Sequence, residues 1–232
     1  MRLTLYIALM FAWSWTAFAV VAPDSLEPGD EYHLVFVTDG VRDGELSEDI
    51  ADYNHFVQAE AARNSAVTGA GRGVDWFVIG STPAIHAREN ALVEAPVFLL
   101  DGTRVADGFD DMWDGNLQTP INMTQFLVTR TKEDFREGLE FLTWTGSQDD
   151  GFLDDKSEFG NSRPMAGRSD FYSSDGSTRT GWLQYDTFGG ATELPFYALS
   201  SKLTVVPEPS AFHIAVASML CLIPLRRVRS RC

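Results

Sequence analysis

Tyr32-His33-Leu34-Val35-Phe36-Val37-Thr38 is the stretch on which the fold turns. It is dense in β-branched and aromatic residues, and Asp39-Gly40 follows it directly. Residues 32–38 are therefore predicted to form a strand closed by a turn. The next patterned segment has a different period. Ile50, Tyr53, Val57 and Ala61 recur at intervals of three and four, with Phe56 widening the stripe, which predicts an amphipathic helix. Ser47 is its expected N-cap, and Glu48 and Asp49 suit the positive end of the helix dipole. Asn64, Gly69, Gly71 and Gly73 are expected to end the element.

Further along, the elements shorten. Trp76 to Ile79 and Val97 to Leu100 read as strands closed by Gly80-Ser81 and Asp101-Gly102. Asp110 to Gly115 fits one helical turn, and Thr131 to Leu139 a second short helix. Phe141 to Thr145 reads as a strand, and residues 146–179 as a long, polar, glycine-rich loop. Gly181 to Tyr185 and Pro195 to Val205 supply the closing strands. One long amphipathic helix among several short strands and long loops is an α+β pattern, without alternating strand–helix–strand units. It spans residues 32–205 as one domain, preceded by a polar leader, residues 20–31.

Five pieces stand in this order: Ala51-Asp52-Tyr53-Asn54 opening the helix, Pro96-Val97-Phe98-Leu99-Leu100-Asp101-Gly102, and Asp111-Met112-Trp113-Asp114-Gly115. Trp144-Thr145-Gly146-Ser147 with Asp150-Gly151, and the closing Phe196-Tyr197-Ala198-Leu199, follow. Together they resemble the C-type-lectin-like fold, in particular its endostatin-like branch. The chain departs from that family in two ways. The domain has no cysteine for the structural disulfides usual there, and it lacks the Glu-Pro-Asn or Gln-Pro-Asp triplet and the Trp-Asn-Asp of calcium-dependent sugar binders.

The two ends carry a different message. Arg2 precedes an apolar run from Leu3 to Ala17, and small residues at Ala17 and Ala19 have the spacing that signal peptidase reads. Residues 1–19 are thus expected to be a signal peptide, with an uncleaved N-terminal anchor as the alternative. At the other end, Pro207-Glu208-Pro209 is followed by the uncharged run Ala211 to Leu225, then by Arg226, Arg227, Arg229 and Arg231. This ordered set resembles the PEP-CTERM sorting signal over residues 206–232. The resemblance implies recognition by an exosortase-type membrane protease, and a membrane contact through the apolar run as a C-terminal transmembrane helix. The arginines are expected to stay on the cytoplasmic side, leaving the domain on the outer face of the membrane or, after processing, in the extracellular matrix.

Charge narrows the partners. The chain carries a net charge of −15, with one basic residue in the signal segment and four arginines and one acid in the tail. The remaining 186 residues hold 13 basic and 32 acidic side chains, a net −19. Such a field repels phosphate backbones and weighs against nucleic acid. Cys221 and Cys232 both lie in the tail, so thiol nucleophiles and cysteine-held metals are excluded from the domain.

No motif names a reaction. Asp149, Asp150, Asp154 and Asp155 gather enough oxygens in seven residues to suggest calcium, although not with EF-hand spacing, and a solvated loop explains them equally. Asp107, Asp110, Asp111 and Asp114 form a second acidic run around Trp113. His33, His55 and His86 are dispersed and read as structural. Gly69-Ala70-Gly71-Arg72-Gly73 precedes a strand, so it reads as a turn and not a phosphate loop. Trp76, Trp113, Trp144 and Trp182 suit a core better than a sugar-stacking surface. The expectation is a non-enzymatic, exported envelope protein with a binding or structural role, possessing no obligatory cofactor. A calcium-stabilised carbohydrate-binding or adhesion module and a secreted polysaccharide hydrolase built on a carboxylate pair stay open beside it.

Overall fold

A computed structural model describes residues 22–68, 73–134, 137, 139–170 and 181–206. The expected strand forms as β1 (Glu31–Val37), and every residue of it after Glu31 is buried. A strand covered on both faces has no polar side to show, hence the apolar run Leu34 to Val37, with His33 the one polar side chain buried beside it. The chain continues through β2 (Arg42–Asp43), α1 (Ile50–Ala62), α2 (Ser65–Thr68), β3 (Trp76–Val78), α3 (Ala87–Asn90), β4 (Val97–Leu99), β5 (Arg104–Ala106) and α4 (Phe109–Met112). A 3-10 turn at Lys132–Asp134 precedes β6 (Leu142–Trp144), β7 (Met165–Arg168), β8 (Asp186–Thr187) and β9 (Glu193–Leu194). The last elements are β10 (Tyr197–Ser200) and β11 (Leu203–Thr204). The class is α+β.

The main sheet runs β3-β10-β1-β4-β5, with β11 also on β1. Strand β1 is antiparallel to β10 and β11 and parallel to β4. Two small sheets stand apart, β2-β9 and β6-β7-β8. Helix α1 starts two residues later than its sequence suggests. Asp49 is the N-cap and its carboxylate accepts from the Ala51 amide at 2.9 Å, while Ser47 accepts from the Asp49 amide at 3.0 Å. Two competing cap residues sit side by side, and the one with the carboxylate takes the helix.

Tyr53, Val57 and Ala61 are fully buried along one face of α1. The same helix closes the open edge of the sheet. Asn54 Oδ1 accepts from the Val78 amide and Gln58 Oε1 from the Trp76 amide, both at 2.8 Å. Four residues apart on the helix, the two amides replace the missing neighbour strand of β3. The core is aromatic: Phe36 meets Trp76 edge-on at 4.8 Å, and Tyr53 lies 4.5 Å from Phe159. Each such buried ring contributes about 1.5–3 kcal/mol over an exposed one. Gly80 lies where any Cβ would strike the Phe159 ring, and Gly167 where one would strike the Trp182 carbonyl.

Three expectations change. Thr131 to Leu139 is not a helix but a single 3-10 turn among its described residues, held by Thr131 and Asp134. Gly181 to Tyr185 is not a strand, yet Trp182 and Leu183 are buried there, and pairing begins only at β8. The polar stretch 146–179 contains β7, a strand between β6 and β8. Met-Ala-Gly-Arg carries no strand signal, and Gly167 is required by the close Trp182 backbone.

Strand β1 has two unlike ends. At its start, Glu31 and Tyr32 pair with Thr204 and Leu203, and Val205 exchanges hydrogen bonds of 2.9 Å with Gly29 and Asp30. Val205 and Val206, the last of the described residues, therefore lie at the start of β1. Thr38, just past the other end, lies roughly 20 Å away at about 3.3 Å per strand residue.

Candidate functional site

The far end of β1 opens into a cleft of about 670 Å³, inside the range of small-ligand sites. Thr38 lies behind it, tied to the lining residue Arg130. Its amide donates to Phe196 O at 2.8 Å and its hydroxyl to Gly40 O at 2.7 Å, while Arg130 Nη1 donates to Thr38 O at 2.8 Å. One wall is the β2-β9 ribbon, in which Asp43 stands opposite Glu193. Arg130, Asp134 and Leu139 come from a second segment of the chain, and Val41 and Pro195 add apolar surface to the lining.

Three carboxylates and one guanidinium thus line the cleft. Burial pulls Arg130 below its ordinary range, with Asp39 and Asp134 opposing the shift. Asp134 is held below the usual carboxylate range by the Thr131 amide, which donates to Oδ2 at 2.6 Å, and by the Thr131 hydroxyl. Asp43 Oδ1 accepts from the Glu45 amide at 2.8 Å. Glycoside hydrolysis needs one carboxyl raised to act as an acid, across the substrate from a second. Here Asp43 and Glu193 sit side by side on one ribbon, and Asp134 is shifted in the opposite direction.

Beside the cleft, residues 123–129 form a tight turn. Met123 bridges to Thr129, the Thr124 amide donates to Val128 O, and the Leu127 amide to Thr124 O, both at 2.9 Å. Leu127 is left-handed at φ 60, a conformation costing a non-glycine residue roughly 1–2 kcal/mol. The turn is tied down from below. Gln125 is fully buried, accepts from the Asp39 amide at 2.9 Å, and donates to Glu60 Oε2 at 2.8 Å. Glu60 Oε2 also accepts from the Gly40 amide at 2.8 Å and Arg63 Nη1 at 2.6 Å. Gly40 is needed here because a Cβ would fall 2.6 Å from the Glu60 carboxyl carbon.

The residues singled out from sequence land elsewhere. Asp150 Oδ1 caps the Phe152 amide at 3.1 Å, and Asp149 turns inward. Burial raises the Asp149 carboxyl, with the Gln184 amide opposing and Asp150 adding to the shift. Its Oδ1 is buried with no hydrogen-bond partner among the described residues. Asp154 and Asp155 do not join it, and among the described residues no three His, Cys, Asp or Glu side chains gather to hold a metal ion. In the second acidic run, Asp111 Oδ2 accepts from the Asp107 amide and from Gln118, and Asp114 Oδ1 accepts from the Asn116 amide.

The histidines do not converge. His33 is buried between Ser200 O, 2.9 Å from Nδ1, and the Glu94 amide, 3.1 Å from Nε2. His86 Nδ1 accepts from the Leu153 amide at 3.0 Å, and His55 is exposed. All four singled-out tryptophans are at most 5% exposed, so they are core and not a stacking platform. Ala17, Ala19, Pro207, Glu208, Pro209, Arg226 and Arg227, with the glycine run 69–72, lie outside the described residues. Among the described residues, no helix is long and apolar enough to cross a membrane. The cleft and the 123–129 turn went unread in the sequence, because each is assembled from segments without a local motif.

No protein-family model matches the chain, and no curated protein matches it.

Proposed function

We propose that this chain is an exported envelope protein whose C-type-lectin-like domain binds an extracellular partner, while its two ends direct transport and sorting. The signal segment ending at Ala17 and Ala19 exports it. Pro207-Glu208-Pro209 and the arginines led by Arg226 and Arg227 present the tail to an exosortase-type protease and hold it at the membrane. The domain then acts on the outer face or in the matrix, in a binding or structural role without catalysis.

One observation carries this reading. Thr204 and Val205, which precede the tail in sequence, pair at the start of β1, and the cleft lies past Thr38, at the other end of β1. A domain held by that tail offers its open side away from the attachment point. The cleft suits binding more than proton transfer, since Asp43 and Asp134 are already engaged by backbone amides. Its mixture of carboxylates and apolar surface fits polyhydroxylated ligands such as matrix polysaccharide.

The test is a glycan array probed with the signal-cleaved full-length chain in mild detergent, beside Glu193→Lys. Binding that Glu193→Lys lowers by roughly tenfold, about 1.4 kcal/mol, supports the reading. Binding that the variant leaves unchanged sinks it, as does release of reducing sugar from any bound glycan. A calcium-stabilised version rests on the unpartnered Asp149 Oδ1. It requires calcium to raise the melting temperature by several degrees over a chelator control.

A further inference from the structure

The β2-β9 ribbon consists of two residue pairs, and one of them sets Asp43 directly across from Glu193. Such partners project from the same face of the ladder, with their Cβ atoms about 4.5–5.5 Å apart, and like charges there weaken the pairing. Both side chains line the cleft of about 670 Å³. Among the described residues neither carboxylate has an ion-pair partner. Arg42, next in sequence to Asp43, is turned away over the Tyr53 and Phe56 rings and donates to Asp52 O at 2.9 Å. Arg130, the cation of the cleft, donates to Thr38 O, and the carboxylates acting on it are Asp39 and Asp134. A repulsive pair kept in so short a ribbon, on the wall of a cleft, breaks the rule for stability where a ligand can compensate.

We propose that the cleft selects a glycan bearing free primary amines, with one ammonium group seated between Asp43 and Glu193. This rests on the cleft-binding reading above and names the sugar chemistry that the cleft prefers. A metal ion fits the same charge poorly. Calcium takes six to eight oxygens, and two carboxylates offer at most four, of which Asp43 Oδ1 already accepts from the Glu45 amide. An ammonium has three donors and is satisfied by fewer acceptors. The rest of the lining suits a sugar ring: Val41, Leu139 and Pro195 give apolar surface, and Thr192 brings a hydroxyl. A rigid amino-sugar ring presents an ammonium, hydroxyls and an apolar C–H face at once. A lysine peptide carries the same charge on a flexible stem, whose rotamer freedom is lost on binding.

The charge around the cleft acts in the same direction. The domain holds 32 acidic and 13 basic side chains, and three carboxylates line the cleft against one guanidinium. A cleft dominated by one sign of charge focuses the field of the whole molecule. That field repels an acidic polysaccharide, is indifferent to a neutral one and draws in one that carries ammonium groups. Acetylation of the amine removes its charge, so the cleft tells the two forms of one sugar apart by electrostatics.

The signal-cleaved full-length chain in mild detergent is titrated by calorimetry with a glucosamine hexamer, with its fully N-acetylated form and with hexalysine. The expected result is a preference of roughly tenfold for the free-amine hexamer over the acetylated one, declining as pH rises through the titration of the sugar amines. Asp43→Asn with Glu193→Gln is expected to abolish that preference without lowering the melting temperature, since a like-charge pair is relieved. Glu193→Gln alone, at an exposed position, is expected to give part of the loss. Asp24→Asn with Asp110→Asn removes the same charge from exposed positions outside the cleft and is expected to preserve the preference. Equal binding of the two hexamers, weakened by Glu193→Lys, overturns the amine inference and keeps the cleft reading. If neither hexamer binds, the amine inference falls, and the cleft reading is decided separately by the glycan array. A preference that the double cleft variant leaves intact overturns the inference in favour of the overall charge. Hexalysine bound as tightly as the free-amine hexamer, with the same loss in the variant, overturns it in favour of a basic peptide.

Discussion

At Glu31 strand β1 is finished by main chain, and at Thr38 by side chains. Around Glu31 the work is done by Thr204, Val205, Gly29 and Asp30 through their backbones, and even His33 is held by a carbonyl and an amide. The charged side chains there, Lys202 with Glu31 and Glu94, lie at the surface. Around Thr38 the ties are Glu60, Arg63, Gln125 and Arg130, reaching from separate segments to one strand end. Backbone closure is indifferent to side-chain identity but leaves no room for a site. Side-chain closure leaves loops free to form a cleft and an apolar turn, and it concentrates the cost of mutation on a few residues.

Glu60→Ala attacks the second mode most directly. It strands the Gly40 amide and the Gln125 side chain, and is expected to cost about 3 kcal/mol in denaturant unfolding. A loss under about 1 kcal/mol would show that side chains do not close that end. His33 probes the first mode. Burial holds its pKa below the ordinary 6.5, with Lys202 adding and Ser200 O, Glu94 and Glu31 opposing. A lowered histidine stabilises the fold fully above 6.5, and that contribution is lost as pH falls through the folded value, at up to about 1.4 kcal/mol per pH unit. Subtracting the stability-versus-pH curve of His33→Gln isolates this slope, and two parallel curves would remove His33 from the account.

Smaller effects separate strain from charge. Leu127→Gly relieves the left-handed φ but adds flexibility to the unfolded chain, so a gain of about 0.5 kcal/mol is expected. A clear loss would mean that the apolar side chain supports the far end. Lys202→Ala is expected to leave the denaturation midpoint unchanged, since its partners are exposed carboxylates. A measurable drop would mean that the near end depends on side chains after all.

The sequence was most legible where local chemistry and tertiary packing agree. The run Tyr32–Thr38 and the stripe Ile50, Tyr53, Val57, Ala61 became β1 and α1, because one period and one burial pattern serve both levels. The cap was off by two residues because Ser47 and Asp49 are both good caps, and only the path of the preceding loop chooses between them. Strand β7 was invisible because its pairing is imposed by β6 and β8, and its glycine answers to Trp182 instead of to its own propensity. The cleft was invisible for a stronger reason. Val41, Asp43, Arg130 and Glu193 come from three distant segments, and none has a local motif to announce that the fold will gather them. Phe126-Leu127-Val128 failed to register because an apolar triplet looks the same whether it will face inward or outward.

The seam between Gly29 and Val205 makes the domain a cassette in topological terms, its two flanks brought to one point, with only the short segment carrying Leu26 packed ahead of it. It can be spliced into a surface loop of an unrelated host without stretching either chain. A circular permutant that joins residues 205 and 29 through a linker of about four residues, with new termini at another exposed loop, should keep the same architecture and lose only the packing of Ala22, Pro23 and Leu26.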